Sequence, residues 1–130
     1  MYMDRHNPLL GASILVVEDD IHLNQSIALL LHHAGYVVSS TTEALQAEKW
    51  ITSGDYRLVI MDDQALLACL DHVSRMQDGN PSLIYFILTD DLRTNAHLER
   101  RTKNIQYMQK PVDPQSLLDN VKSLFYPKFI

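Results

Sequence analysis

The chain holds a single cysteine among its 130 residues, Cys69, so no internal disulfide can form, and a reducing cytosol fits. Cys69 sits in the apolar stretch Ala65 to Leu70 and reads as a small core residue rather than a nucleophile. No apolar run approaches the roughly 20 residues of a membrane helix. The first residues, MYMDRHNPLLGAS, lack the apolar core of a secretion signal. Positive charge is scarce: 11 Lys and Arg face 16 Asp and Glu, a net charge of −5. That balance argues against a nucleic-acid-binding surface, which is usually basic, although it is also ordinary for a globular protein. Repeats, low-complexity tracts and linkers are absent. One cytoplasmic domain is therefore expected over residues 13–126, after a flexible lead-in over 1–12 (with Met3 as an alternative start) and before a short tail over 127–130.

What is present is alternation. Ser13 to Val17 is a short β-branched run of the kind that forms a buried strand. Leu23, Ile27, Leu30, Leu31 and Ala34 follow at helical spacing, with Gly35 at the position of a helix-ending glycine. Tyr36 to Ser40 predicts a second strand. Thr41 or Thr42 is expected to cap a helix through Ala44, Leu45, Ala47 and Ile51. After the Ser53-Gly54-Asp55 break, Leu58 to Met61 predicts a third strand. The next helix places Leu66, Leu70, Val73 and Met76 on one face, and Gly79-Asn80-Pro81 is a turn. Leu83 to Leu88 predicts the fourth strand, 92–101 a polar helix, and Ile105 to Met108 the fifth strand. Asp113-Pro114 opens a last helix carrying Leu117, Leu118, Val121 and Leu124.

Five such units predict an α/β, doubly wound (βα)5 fold, a five-stranded parallel sheet in the order 2-1-3-4-5 with helices on both faces. In these folds the site lies beyond the carboxyl ends of the strands. Glu18-Asp19-Asp20 follows the first strand, Asp62-Asp63 the third, Thr89-Asp90-Asp91 the fourth and Lys110-Pro111 the fifth. Hard oxygen ligands at this density suit Mg²⁺ rather than Zn²⁺. Acidic residues after strands also cap helices, which accounts for any one cluster but not for the lysine. His22, His32, His33, His72 and His97 fall on predicted helices and His6 in the lead-in, so they read as solvated positions. Trp50 reads as a partly buried packing residue. Arg93, Arg100, Arg101 and Lys103 form a basic segment, either a solvated helix face or part of a partner surface.

The strand-end motifs carry a resemblance. Ile14-Leu15-Val16-Val17-Glu18-Asp19-Asp20, Gly35-Tyr36-Val37-Val38, Tyr56 to Asp62, Ile87-Leu88-Thr89 and Tyr107-Met108-Gln109-Lys110-Pro111 stand in the order and spacing of response-regulator receiver domains. The CheY-like match extends from Ser13 to Phe125. The resemblance implies that Asp62 is the phosphoacceptor, chosen over Asp63 because it directly follows the apolar run. It implies that Asp19 binds Mg²⁺ directly, Glu18 through water, and that Asp62 and the Gln64 backbone carbonyl complete the metal site. Lys110, ahead of a cis proline, would pair with Asp62. Thr89 would be the switch hydroxyl and Tyr107 the switch aromatic, altering the surface of the fourth helix, fifth strand and fifth helix. A sensor histidine kinase or histidine phosphotransfer protein would be the partner. A homodimer through that surface is allowed, and no direct contact with nucleic acid or membrane is expected. Such a domain assists its own phosphorylation and dephosphorylation but is not an enzyme turning over a metabolite.

The sequence departs from the family's pattern at several places. Asp63 stands where an apolar residue is usual, and Gln64-Ala65-Leu66-Leu67 lacks the usual proline and glycine. Asp90 replaces a small residue, and its charge opposes a phosphoryl group unless it turns away to cap the next helix. Lys103-Asn104 replaces a Gly-Ala pair. A phosphorylation-independent interaction module therefore stands as the alternative. A flavodoxin-like cofactor binder on the same architecture is disfavoured, because carboxylates rather than a glycine-rich loop follow the first strand.

Overall fold

The structure, a computed structural model, describes residues 13–69, 83–93 and 104–125. Five parallel strands form one sheet in the order β2-β1-β3-β4-β5, as the alternation predicts. They are β1 (Ser13–Val17), β2 (Val37–Thr41), β3 (Leu58–Asp62), β4 (Ile84–Thr89) and β5 (Ile105–Gln109). The bounds of β1 match the sequence reading, and β2 and β4 are each shifted one residue onward. Both β3 and β5 run one residue further. The helices are α1 (Ile21–His33), α2 (Ala44–Ser53), a helical segment over 63–69, and a C-terminal helix (Pro114–Phe125). The expected fourth helix begins in a turn at Leu92 and Arg93. Its remainder, with Arg100, Arg101 and Lys103, lies outside the described residues, as do Leu70, Val73, Met76, the Gly79-Asn80-Pro81 turn, the lead-in and the tail.

Local chemistry explains the helix ends. Asp20 caps α1, its carboxylate accepting from the His22 and Leu23 N–H groups, which satisfies two donors that a helix start leaves open. Gly35 follows the Ala34 C-cap with φ 103°, a left-handed conformation that costs a residue with a Cβ. The expected threonine cap of α2 is corrected. The N-cap position falls on Glu43, without a side-chain cap bond, and Thr41 ends β2 while its hydroxyl accepts from the Glu43 N–H. Asp113 does open the last helix, accepting from the N–H and the hydroxyl of Ser116.

The sheet separates two apolar layers, as expected when helices cover both faces of a parallel sheet. Leu15, Val59, Met61, Tyr85 and Ile87 pack beneath α2 and the 63–69 segment, joined by Leu66 and Cys69. Ile14, Val16, Ile60, Phe86 and Leu88 pack beneath α1 and the C-terminal helix, joined by Ile27, Leu31, Leu117 and Val121. Each fully buried aliphatic side chain contributes about 1.5–3 kcal/mol. This embedding fixes the three central strands and hence the positions of the residues at their ends. Trp50 packs half-buried against the first layer. Cys69 is buried there, with its thiol pushed up to about 12 by burial, which suits a core residue and not a nucleophile. His22, His32 and His33 are exposed. Among the described residues no helix is long and apolar enough to cross a membrane.

Candidate functional site

Strand register decides which end residues meet. Val17 lies opposite Met61, so one step further sets Glu18 beside Asp62. Asp62 lies opposite Leu88, which sets Asp63 beside Thr89. Thr89 lies opposite Gln109, which sets Asp90 beside Lys110. The three pairs line one rim of the sheet.

At the centre of the rim, Glu18, Asp19 and Asp62 each offer a carboxylate oxygen, and the three atoms lie within 4.8 Å of one another. Glu18 and Asp62 are buried, and Asp19 is exposed. Asp62 Oδ1 accepts from the Ala65 N–H at 2.6 Å, so Asp62 also caps the 63–69 segment. Asp19, Asp62 and Gln64 line an open cavity of about 170 Å³ with Thr42, Ala44 and Ala68. Lys110 reaches into the cluster, with Nζ 2.7 Å from Glu18 Oε1. Its ion-pair partner is thus Glu18, where Asp62 was expected. Asp62 and Asp90 act on the lysine through space.

The electrostatics follow from this crowding. Burial pushes Glu18 up to about 7, opposed by Lys110 and reinforced by Asp62 and Asp19. Hydrogen bonding with Glu18 and then Asp62 holds Asp19 below the ordinary carboxylate range. Burial works against the charge on Lys110, but its ion pair with Glu18 outweighs that and holds it above its usual value. Lys110 offsets part of the repulsion within the cluster through its ion pair with Glu18. A divalent cation is the other way to relieve it, and an all-oxygen donor set that reaches a solvent cavity suits a hard ion that retains water. The residues present therefore fit Mg²⁺.

Thr89 is fully buried. Its hydroxyl donates to Asp63 Oδ2 at 3.0 Å and accepts from the Asp91 N–H at 3.2 Å. Among the described residues it is Asp91 that caps the following turn, accepting from the Arg93 N–H, while Asp90 is exposed at the Lys110 side of the rim. Tyr107, on β5, is half-buried against the layer beneath α2, and its hydroxyl is shielded from solvent. The Lys110–Pro111 peptide is cis. Asn104, which replaces a glycine-containing pair, adopts φ 58°, a left-handed conformation that asparagine tolerates better than most residues.

The sequence reading missed Asn24. This buried α1 side chain donates from Nδ2 to the Glu18 and Thr41 carbonyls at 3.0 and 2.9 Å, tying together the ends of β1 and β2. A signal was there, because Asn24 shares its helix face with Ile27 and Leu31. A polar residue on a buried stripe requires partners. Asp20, in contrast, belongs to the helix and not to the cluster.

The family model of the response regulator receiver domain matches residues 14–122. The chain is 26% identical over 109 residues to the phosphoglycerate transport system transcriptional regulatory protein PgtA of Salmonella typhimurium, covering 82% of this chain and 26% of that protein. It is 28% identical over 124 residues to the DNA-binding transcriptional regulator NtrC of Rhizobium meliloti, covering 91% and 25%. The chain thus spans about a quarter of the length of these relatives. Among solved structures, an orphan response regulator of H. pylori superposes with a TM-score of 0.78 at 20% identity, covering 92% of this chain and 100% of that one. The chemotaxis response regulator CheY4 of Vibrio cholerae superposes with a TM-score of 0.76 at 21% identity, covering 88% and 98%. These two likenesses are of fold. The family match spans nearly the whole described sheet and all four strand ends that meet at the rim, so the chain belongs to the response regulator receiver domains of two-component signalling.

Proposed function

We propose that this domain accepts a phosphoryl group on Asp62 from a phosphohistidine, carried by a sensor histidine kinase or a histidine phosphotransfer protein in the cytoplasm. The observation that supports this most directly is the placement of Asp62. Its buried carboxylate belongs to a three-carboxylate cluster, lines a cavity with Asp19, and lies beside a Glu18 that is paired with Lys110. In the transfer a carboxylate oxygen of Asp62 forms a bond to phosphorus as the bond from phosphorus to the histidine nitrogen breaks. Asp19, Asp62 and the Gln64 carbonyl would hold Mg²⁺, and Glu18 would hold it through water. Bound there, the ion supplies positive charge to the transferring oxygens. Lys110 supplies the protein's own cation on the other side of the cluster.

Thr89 would then donate its hydroxyl to a phosphoryl oxygen. Tyr107, two strand positions before the rim, would respond and alter the face formed by β5 and the elements beside it. That face would engage an effector or a second copy of the chain. The result is a local change of charge biasing a two-state element, and the domain transforms no substrate other than its own phosphoryl group.

A second reading, in which the domain binds partners without phosphorylation, is favoured by two observations. Asp63 already occupies the Thr89 hydroxyl, and Asp90 leaves a negative charge at the rim. An amide NMR titration with Mg²⁺ followed by beryllofluoride, a stable acyl-phosphate mimic, separates the readings. Shifts at Asp19 and Asp62 with Mg²⁺, then at Thr89 and Tyr107 with beryllofluoride, are expected from a phosphorylated switch. A Mg²⁺ response without a beryllofluoride response, together with partner binding retained in Asp62→Asn, would select the second reading.

A further inference from the structure

The hydrogen bond between Thr89 and Asp63 joins a residue the proposed chemistry uses to one it does not. Thr89 has a single hydroxyl proton to give. Among the acceptors it faces are Asp63 Oδ2 at 3.0 Å and the Asp91 carbonyl at 3.3 Å. The carboxylate is the nearer and is charged, and hydrogen bonds to a charged acceptor are roughly twice as strong as neutral ones. The lone-pair side of the hydroxyl is engaged by the Asp91 N–H. Thr89 is also fully buried, so water does not compete for the proton. The register that aligns Asp62 with Leu88 brings the next residues, Asp63 and Thr89, to the same place at the rim.

We propose that Asp63 is a positioning residue that acts as a built-in competitor for the switch hydroxyl. It holds Thr89 in one rotamer in the resting domain and must yield the proton before a phosphoryl group on Asp62 can take it. A carboxylate oxygen and a phosphoryl oxygen are both anionic acceptors, and the hydroxyl serves one of them. The consequence for signalling rests on the reading of Asp62 as phosphoacceptor, whereas the hold on Thr89 does not. Asp63 raises the threshold of the switch and keeps its hydroxyl oriented between events.

The test compares the natural chain with Asp63→Asn and Asp63→Ala, each shown to be folded by its amide spectrum. The first readout, on the full chain with Mg²⁺ alone, is the set of three-bond couplings to the Thr89 methyl carbon, which report its side-chain rotamer. One rotamer is expected in the natural chain and in Asp63→Asn, which retains a neutral acceptor, and averaged couplings in Asp63→Ala. The second readout is beryllofluoride affinity, expected to tighten about tenfold in both variants as the charged competitor is removed. A single unchanged Thr89 rotamer in Asp63→Ala, or equal beryllofluoride affinity in all three proteins, would overturn the proposal. If beryllofluoride binds none of them, the phosphoacceptor reading fails, and the rotamer couplings alone decide whether Asp63 holds Thr89.

Discussion

Lys110 Nζ lies 2.7 Å from Glu18 Oε1, joining the residue that follows β5 to the residue that follows β1 across the whole width of the site. The pair couples the fold to pH, because one partner titrates near neutrality.

Glu18 has its folded value raised from 4.5 to about 7 by burial first of all. A carboxyl raised in this way favours the folded state below its unfolded value, and that contribution is lost as pH rises through the folded value. In the absence of divalent metal, stability should therefore fall between about pH 4.5 and 7, by on the order of 1–3 kcal/mol. Urea unfolding across that range checks the slope. Glu18→Gln, which cannot titrate, should flatten it, and an unchanged slope in that variant would assign the effect to another group.

Metal should reverse the trend at neutral pH. Mg²⁺ at ten times its dissociation constant should stabilise the domain by about 1.4 kcal/mol, since only the folded chain gathers the three carboxylates. Asp19→Asn or Asp62→Asn should remove most of that gain, and chelator should restore the starting stability. Thermal melts with and without Mg²⁺ measure it, and equal melting temperatures would count against a metal site.

Asn24→Ala should cost about 2–4 kcal/mol in urea unfolding, because it leaves the Glu18 and Thr41 carbonyls without the amide that serves both. It should also weaken Mg²⁺ binding, as Asn24 anchors the backbone that presents Glu18 and Asp19. A full loss of stability with unchanged Mg²⁺ affinity would separate the two roles.

Gly54→Ala should destabilise by about 1–3 kcal/mol. The added Cβ would lie 2.6 Å from Tyr56 Cε2 and 2.7 Å from the Trp50 carbonyl oxygen. The carbonyl belongs to the end of α2 and cannot swing aside as a side chain can. A shifted urea midpoint with unchanged Mg²⁺ binding is the expected result, because Gly54 lies at the opposite end of α2 from the site.

The alternation of apolar runs and helical stripes was enough to order the sheet, because the central strands β1, β3 and β4 are short, apolar and buried along nearly their whole length. The strand-end residues were readable for the same reason: in a parallel sheet every strand ends at one rim. The partnerships at that rim were not. Lys110 reaches Glu18 rather than Asp62, Thr89 donates to Asp63, and Asp91 accepts from the Arg93 N–H. Each depends on register and on relative burial, quantities that belong to pairs of residues distant in the chain. The cap of α2 was misplaced for a local reason, since β2 extends through Thr41 and consumes the residue that would have capped.

The two apolar layers share the sheet's backbone but divide its side chains between them. Ile51 and Leu66 pack on one side, Leu117 and Val121 on the other. The sheet is thus a partition wall. Cavities opened on opposite sides of it should cost energies that add, whereas two cavities on one side should interact. The domain can therefore accumulate changes in one compartment while the other keeps its packing, and the rim of strand ends is where the two histories must stay compatible.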